Sequence, residues 1–192
     1  MSHHLDLYRY WLVKRGGRPM PARSDINPAD IPALLPYLMI VDKVDGLFRW
    51  RLVGSAAVRE VGRDPTGSIV GSHASSPEAA AAVLAVYERV FTTAHPVFAT
   101  GEFKVMSGAN HNFSLLVLPL SDDGADVNMV ISTLIARFNF GVTPSTDWLK
   151  GAGVKARAVI GVNDAAELEK HCLDWERYCD DQRRRAEGIS AP

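Results

Sequence analysis

The sequence has few cysteines, and they are placed where they cannot join each other. Cys172 and Cys179 are the only two in 192 residues, and they fall seven positions apart on one predicted helix. Residues at that spacing are roughly 10 Å apart along a helix axis, which is too far for a disulfide. We therefore expect reduced thiols and a cytoplasmic protein.

Long apolar runs and an excess of one charge are also missing. The apolar run at residues 115–120 is far too short to span a bilayer. The first residues lack the basic and then apolar stretch of a secretory signal. The formal net charge is -1, so nothing favours binding to nucleic acid or to a membrane surface. We expect a protein that binds neither.

Motifs that carry catalytic or metal chemistry are equally scarce. The six histidines include no pair at i, i+4 spacing that could hold a metal. The carboxylates of residues 121–126 lack the spacing and the terminal glutamate of a calcium loop, so they predict a solvated turn. Residues 151–153 neither follow a convincing strand nor open a helix, which excludes a phosphate loop. We expect no metal site and no enzyme, with a small α+β enzyme that uses a histidine and a carboxylate as a distant alternative.

What the sequence does contain is the pattern of one antiparallel sheet. The chain is 47% hydrophobic, enough for one core but not for two. In one segment Phe48, Trp50 and Leu52 alternate with arginines, which is typical of a sheet exposed to water on one face. Gly46 just before it suits the positive φ of a hairpin turn. Five strands are predicted: residues 37–44, 47–53, 96–106, 113–120 and 127–138.

Helices are predicted between these strands. A short one covers residues 55–61 and is closed by Gly62. A longer one begins after Ser76, a favourable N-cap, and ends at His95, which precedes a proline. Its single apolar face is formed by Val83, Val86, Tyr87, Val90 and Phe91. The alanines at its start can approach the sheet closely or leave room for a ligand.

Helices also flank the sheet at both ends of the chain. The first covers residues 5–15, with an apolar stripe that includes Leu5, Tyr8 and Leu12. The last begins after Asp164 and repeats apolar residues at 3-4-3-4 spacing, a seam for packing on the domain or on a partner helix. The seam consists of Ala165, Leu168, Cys172, Trp175 and Cys179.

These segments divide the chain into four parts. Residues 1–36 form an N-terminal helix and a proline-rich segment, residues 37–138 the core, residues 139–162 a linker and residues 163–192 a C-terminal helix. The fold class is α+β: a five-stranded antiparallel sheet with central helices and a flanking helix at each end.

The order of two strands, helices and three strands resembles that of a PAS sensor domain. The chain is also similar to a PAS-like family common in alphaproteobacteria and long catalogued as a domain of unknown function, over roughly residues 5–138. An acidic residue is frequent in the family at the position of Ser114, so the resemblance implies that any polar contact built on that carboxylate is missing here. The similar segments are residues 25–36, 51–55, 62–67 and 115–120.

The resemblance implies a sensory or regulatory fold without naming a ligand, and the cofactor stays unknown. A PAS pocket lies between the concave sheet face and the central helices, where Trp50, Tyr87 and Phe91 are candidate ligand-binding residues; alternatively they fill the core. His73, like His95, lies beside the longest helix, near where haem-binding PAS domains can place an axial ligand. The alternative for both is a capping or solvent-facing histidine.

The cysteines narrow the choice of ligand. Light-sensing PAS domains of the flavin–thiol type need a cysteine in the central helical region, whereas Cys172 and Cys179 lie in the last helix. That chemistry is excluded, as is a cysteine-attached chromophore in the core. The two thiols either serve as redox sensors, if neighbouring cations increase their thiolate character, or pack as ordinary core residues.

Two hypotheses follow. The first is a sensory and regulatory module that binds a small molecule and transmits through its flanking helices to a signalling protein, a kinase or a regulator. The second is a protein-interaction adaptor with a filled core and no ligand. In both, we expect the stripe of the first helix and the seam of the last to form a homodimer or to bind the signalling protein.

Overall fold

A computed structural model describes residues 2–61, 64–74, 76–104, 110–137 and 154–187. These residues form four α-helices and one six-stranded sheet. In chain order the elements are α1 (His3–Arg15), β1 (Leu38–Val44), β2 (Leu47–Val53), α2 (Ser55–Val61), α3 (Pro77–Thr93), β3 (Val97–Lys104), β4 (Asn110–Leu120), β5 (Met129–Arg137), β6 (Val154–Gly161) and α4 (Ala165–Ala186). Short 3₁₀-helices at Arg23–Asp25, Pro28–Asp30 and Leu35–Tyr37 connect α1 to β1.

The strands lie in the order β2-β1-β5-β4-β3-β6, and each neighbouring pair is antiparallel. The predicted α+β class with its antiparallel sheet, central helices and flanking helices is confirmed. The first five strands lie close to their predicted bounds.

A sixth strand is the main difference from the prediction. β6 occupies Val154–Gly161, within the segment expected to be a linker, and pairs with β3 at one edge of the sheet. Its sequence has three β-branched residues, which favour a strand, but alanines, charged residues and a glycine make up the rest, so the local signal is mixed and the pairing with a distant strand decides. Residues 139–153 of the expected linker, including the glycine-rich segment 151–153, lie outside the described residues.

The predicted turns and caps follow from local chemistry. The β1–β2 hairpin turns at Asp45 and Gly46, both with positive φ (51° and 80°). The Ser76 side chain accepts a hydrogen bond from the Ala79 amide at 3.2 Å and so caps α3. The Asp164 carboxylate caps α4 in the same way. Gly62, expected to close α2, lies outside the described residues.

Two hydrophobic cores lie on opposite faces of the one sheet, whereas the composition predicts a single core. The inner face packs against α2 and α3, and the outer face packs against α1 and α4. Along a strand, the side chains of successive residues point alternately into one core and into the other. Val97, Val117 and Val130 face inward. Phe98, Leu116 and Ile131 face outward.

The sheet is therefore buried on both faces, whereas the alternation in β2 predicts one face exposed to water. β2 at the edge follows that prediction in part: Arg49 and Arg51 stay partly exposed and pair with Asp42 at 2.7 and 3.1 Å. Leu52, expected on the covered face, is itself 43% exposed. In β4, every residue from Ser114 to Leu120 is buried, because α1 and α4 cover the outer face.

The helix faces expected to form a dimer or bind a partner are occupied within the chain. Leu5 and Tyr8 of α1 are buried in the outer core and Leu12 packs against it. Leu168, Cys172, Trp175 and Cys179 of α4 are buried in the same core. The seam of α4 thus packs on its own domain. We use the term helix pair for α1 and α4, which contact each other on the outer face.

Candidate functional site

Three of the four predicted ligand-binding residues lie in one group of rings on the inner face. The ring centroids of Trp50 and Tyr87 are 5.8 Å apart in an edge-to-face arrangement. Phe48 joins the group, with its centroid 6.1 Å from that of Tyr87 and 4.9 Å from that of Phe91. Such arrangements are favourable for aromatic pairs. We call Phe48, Trp50, Tyr87 and Phe91 the inner aromatic cluster.

The cluster is closed at its centre and open at its rim. Tyr87 is fully buried, and its hydroxyl hydrogen-bonds to the Ser132 side chain of β5; burial raises the pKa of the phenol. Trp50 and Phe91 are only half-buried. The Lys43 ammonium lies 5.9 Å from the centroid of the Phe91 ring, a cation–π distance. The rim thus presents two half-buried rings and one cation.

The fourth predicted residue, His73, is half-buried in the turn that precedes α3, at the opposite end of that helix from Phe91. This turn packs closely on α3, since a Cβ placed on Gly71 would lie 3.3 Å from the Cβ of Ala80. The small residues at the start of α3 let the turn approach. His95 is exposed, and its Nδ1 lies 2.6 Å from the carbonyl oxygen of Thr93.

A buried histidine on the outer face was not among the predicted site residues. His4 of α1 is 1% exposed, and each of its ring nitrogens meets a hydroxyl. Nδ1 lies 2.6 Å from Oγ1 of Thr133, and Nε2 lies 2.9 Å from Oγ of Ser114. The imidazole and the ring of Phe98 are nearly perpendicular, with their centroids 5.6 Å apart. One residue of α1 thus contacts β3, β4 and β5.

Ser114 therefore takes part in a polar contact of its own, in place of the carboxylate contact that the family resemblance implied was missing. Its partner is an imidazole from α1, so no carboxylate is needed. Helical spacing could have identified this residue: His4, Tyr8 and Trp11 fall at i, i+4 and i+7, which puts the histidine on the buried stripe of α1.

Burial lowers the pKa of His4 from 6.5 to about 3, and the neighbouring His3 contributes in the same direction. The folded protein therefore holds a neutral imidazole. Below pH 6.5 the unfolded chain binds a proton that the folded chain does not, so stability is lost as the pH falls from 6.5 toward 3. Each pH unit in that window costs about 1.4 kcal/mol.

We expect the free energy of unfolding to fall by about 2 kcal/mol between about pH 7.5 and about pH 5 because of His4 alone. The variant His4→Gln should be less stable at pH 7.5, yet lose much less stability on acidification. Urea denaturation at several pH values measures both quantities. Val13→Ala, which changes an exposed residue of α1 without a titratable group, should keep the wild-type pH dependence. An unchanged pH dependence in His4→Gln would contradict the assignment.

The cysteines act as core residues. Burial raises the pKa of the Cys172 thiol to about 11 and that of Cys179 to about 11. Both thiols are therefore protonated at neutral pH, which favours packing over the redox interpretation.

Over the part of the chain that the structure describes, no cluster of three histidine, cysteine or acidic residues is arranged to hold a metal ion. No helix within the same residues is long and apolar enough to cross a membrane.

Comparison with known proteins identifies the family to which this fold belongs. No curated protein matches the chain. A sequence model of a PAS domain family matches residues 1–135, which include α1 and run almost to the end of β5. The match covers well over half of the chain and agrees with the antiparallel sheet and the helices on its inner face. PAS domains serve as sensory and regulatory modules, and this chain belongs to a PAS domain family.

Proposed function

We propose that the protein is a regulatory module that relays a signal from its inner face to the helix pair on its outer face. The observation that carries the proposal is that α1 and α4, from opposite ends of the chain, pack on strands whose other face packs against α3. Neighbouring residues of one strand, such as Leu116 and Val117, belong to the two different cores. A shift of the sheet therefore changes both cores.

The input in this proposal is a small molecule at the rim of the inner aromatic cluster. Trp50 and Phe91 offer half-buried rings for a flat ligand, with Tyr87 behind them and His73 at the far end of α3. Such a ligand acts by stabilising one of two arrangements of the sheet and the helix pair. The output is a changed surface of the helix pair, read by a signalling protein.

Coupling between the faces is testable without a ligand. Tyr87→Phe removes the hydroxyl that bonds to Ser132 and keeps the ring, which should cost about 1 kcal/mol. We expect amides in α1 and α4 to exchange with deuterium about fivefold faster in this variant, as those of α3 do. Hydrogen exchange read by mass spectrometry measures the effect.

The control is Glu88→Gln at an exposed position of α3, which should leave the exchange of the helix pair unchanged. Urea unfolding of both variants gives the free energy of global unfolding. Amides that exchange by global unfolding are left out of the comparison, because they become faster in any destabilised variant; the test uses amides whose opening free energy is lower. Faster exchange confined to α3 and β2 would contradict the relay.

A protein-interaction adaptor without a ligand is the second candidate, and the satisfied, fully buried Tyr87 favours it. Native mass spectrometry of freshly purified protein distinguishes the two. A stoichiometric small molecule that is lost in Trp50→Ala supports the sensor. A protein without added mass that still captures a kinase or a regulator supports the adaptor. The same spectra report the subunit number; the predicted homodimer needs a surface other than the buried faces of the helix pair.

A further inference from the structure

A cleft of about 250 Å³ opens beside the helix pair, at the end of β5. Ser2 and His3 at the start of α1 form one wall, and Glu176 of α4 forms another. Tyr37, residues 134–136 and Arg137 complete the lining. The cleft shares no lining residue with the inner aromatic cluster, so it is a separate site.

Opposite charges face this small space. Arg137 contributes a guanidinium, held 6.0 Å from the centroid of the Trp175 ring. Its forked donors match the two oxygens of a carboxylate. Glu176 contributes a carboxylate, which matches an ammonium group. A molecule that carries both a positive and a negative charge can pair with Arg137 and Glu176 at once. A simple anion would face the like charge of Glu176, and a simple cation would face the like charge of Arg137.

The other lining residues determine which uncharged side chain of such a molecule fits the cleft. Ile135 packs on the outer face, the side of the sheet where Arg137 meets Trp175, and is the aliphatic side chain of the lining, because adjacent strand residues point to opposite faces. Tyr37 and His3 stack with their ring centroids 4.0 Å apart and form an aromatic wall. The volume lies just below the usual range for small-molecule sites, which suits a small metabolite rather than a large cofactor.

We propose that this cleft binds a free α-amino acid with an aliphatic side chain. Its carboxylate pairs with Arg137, its ammonium group with Glu176, and its side chain lies against Ile135. Because the ligand contacts α1 at Ser2 and α4 at Glu176, binding holds the helix pair together at the end of β5. The inference goes beyond the proposed function, since it needs no ligand at the inner aromatic cluster.

The experiment is a titration of the ¹⁵N-labelled full chain, followed by amide chemical shifts. L-leucine is the main probe; 4-methylpentanoate lacks its amine and 3-methylbutylamine lacks its carboxylate. We expect L-leucine to shift the amides of Tyr37, Arg137 and Glu176, with each half-probe binding at least about tenfold more weakly. Arg137→Gln and Glu176→Gln should each weaken L-leucine binding about tenfold.

Matched variants control for the change of net charge. Glu169→Gln and Arg184→Gln alter exposed residues of α4 and should bind L-leucine like the wild type. Amide spectra of each variant verify its fold. Tyr87→Phe should also bind normally, so failure of the inner-face proposal does not affect this one.

The proposal is overturned by any of three results. The aliphatic L-amino acids, each at about 10 mM, produce no shift at the cleft. The shifts map to the inner aromatic cluster instead. The half-probes, or the Arg137 and Glu176 variants, bind as L-leucine binds to the wild type.

Discussion

Replacing Trp11 by alanine is expected to lower the free energy of unfolding by about 4 kcal/mol. The Trp11 side chain is 1% exposed in the outer core, and its indole N–H donates a hydrogen bond to the carbonyl oxygen of Pro119 at 2.8 Å. The substitution leaves a cavity between α1 and the sheet and a buried carbonyl without its donor. Urea denaturation measures the loss.

The matched control lies two residues further along the same helix. Val13 is 77% exposed, so Val13→Ala should change stability by less than about 0.5 kcal/mol. Trp11→Phe should fall between the two, because it keeps most of the ring and loses the hydrogen bond. Trp11→Ala unfolding within 1 kcal/mol of the wild type would show that α1 is not bound to the sheet as described.

The second large effect is expected at Gly54, between β2 and α2. A Cβ at this position would overlap the carbonyl oxygens of Leu35 and Pro36 and lie 2.6 Å from the carbonyl carbon of Pro36. All three are backbone atoms, so no side-chain rotation relieves the overlap. Gly54→Ala should therefore cost about 3 kcal/mol, the upper end of the overpacking range.

Gly17→Ala is the control for this prediction, because no atom lies within 4 Å of a Cβ placed there. It should leave the midpoint of urea unfolding nearly unchanged. Gly54→Ala should shift that midpoint strongly to lower urea concentration at an unchanged slope, which separates lost stability from a changed unfolded state. Equal midpoints for the two variants would contradict the close approach at Gly54.

Elements with local signals were predicted well. The N-cap at Ser76, the apolar stripe of α3 and the turn at Gly46 depend on residues only a few positions apart, and their physical causes act within those segments. The inner aromatic cluster was predicted in part: the stripe of α3 identified Tyr87 and Phe91, and the alternation in β2 puts Phe48 on the face of Trp50. That this face of β2 meets α3 was decided by the tertiary structure.

Features that depend on distant pairing were not predicted. β6 became a strand because its backbone hydrogen-bonds to β3, more than 50 positions earlier in the chain. His4 lies in the first turn of α1, and its partners Ser114 and Thr133 follow 110 and 129 positions later. Neither partner is recognisable from residues near His4.

The alternation and spacing of apolar residues were enough to establish an α+β sheet with helices of the PAS type, because the period of a strand or helix is a local property. What covers each apolar face is decided by the tertiary structure. From the sequence, the apolar stripes of α1 and α4 are as compatible with a dimer surface as with packing on their own sheet. The reason is that the hydrophobic effect is not directional, so burial against either apolar surface is favourable. The outer face of the sheet is that partner, which buries His4 and leaves the cleft between Arg137 and Glu176.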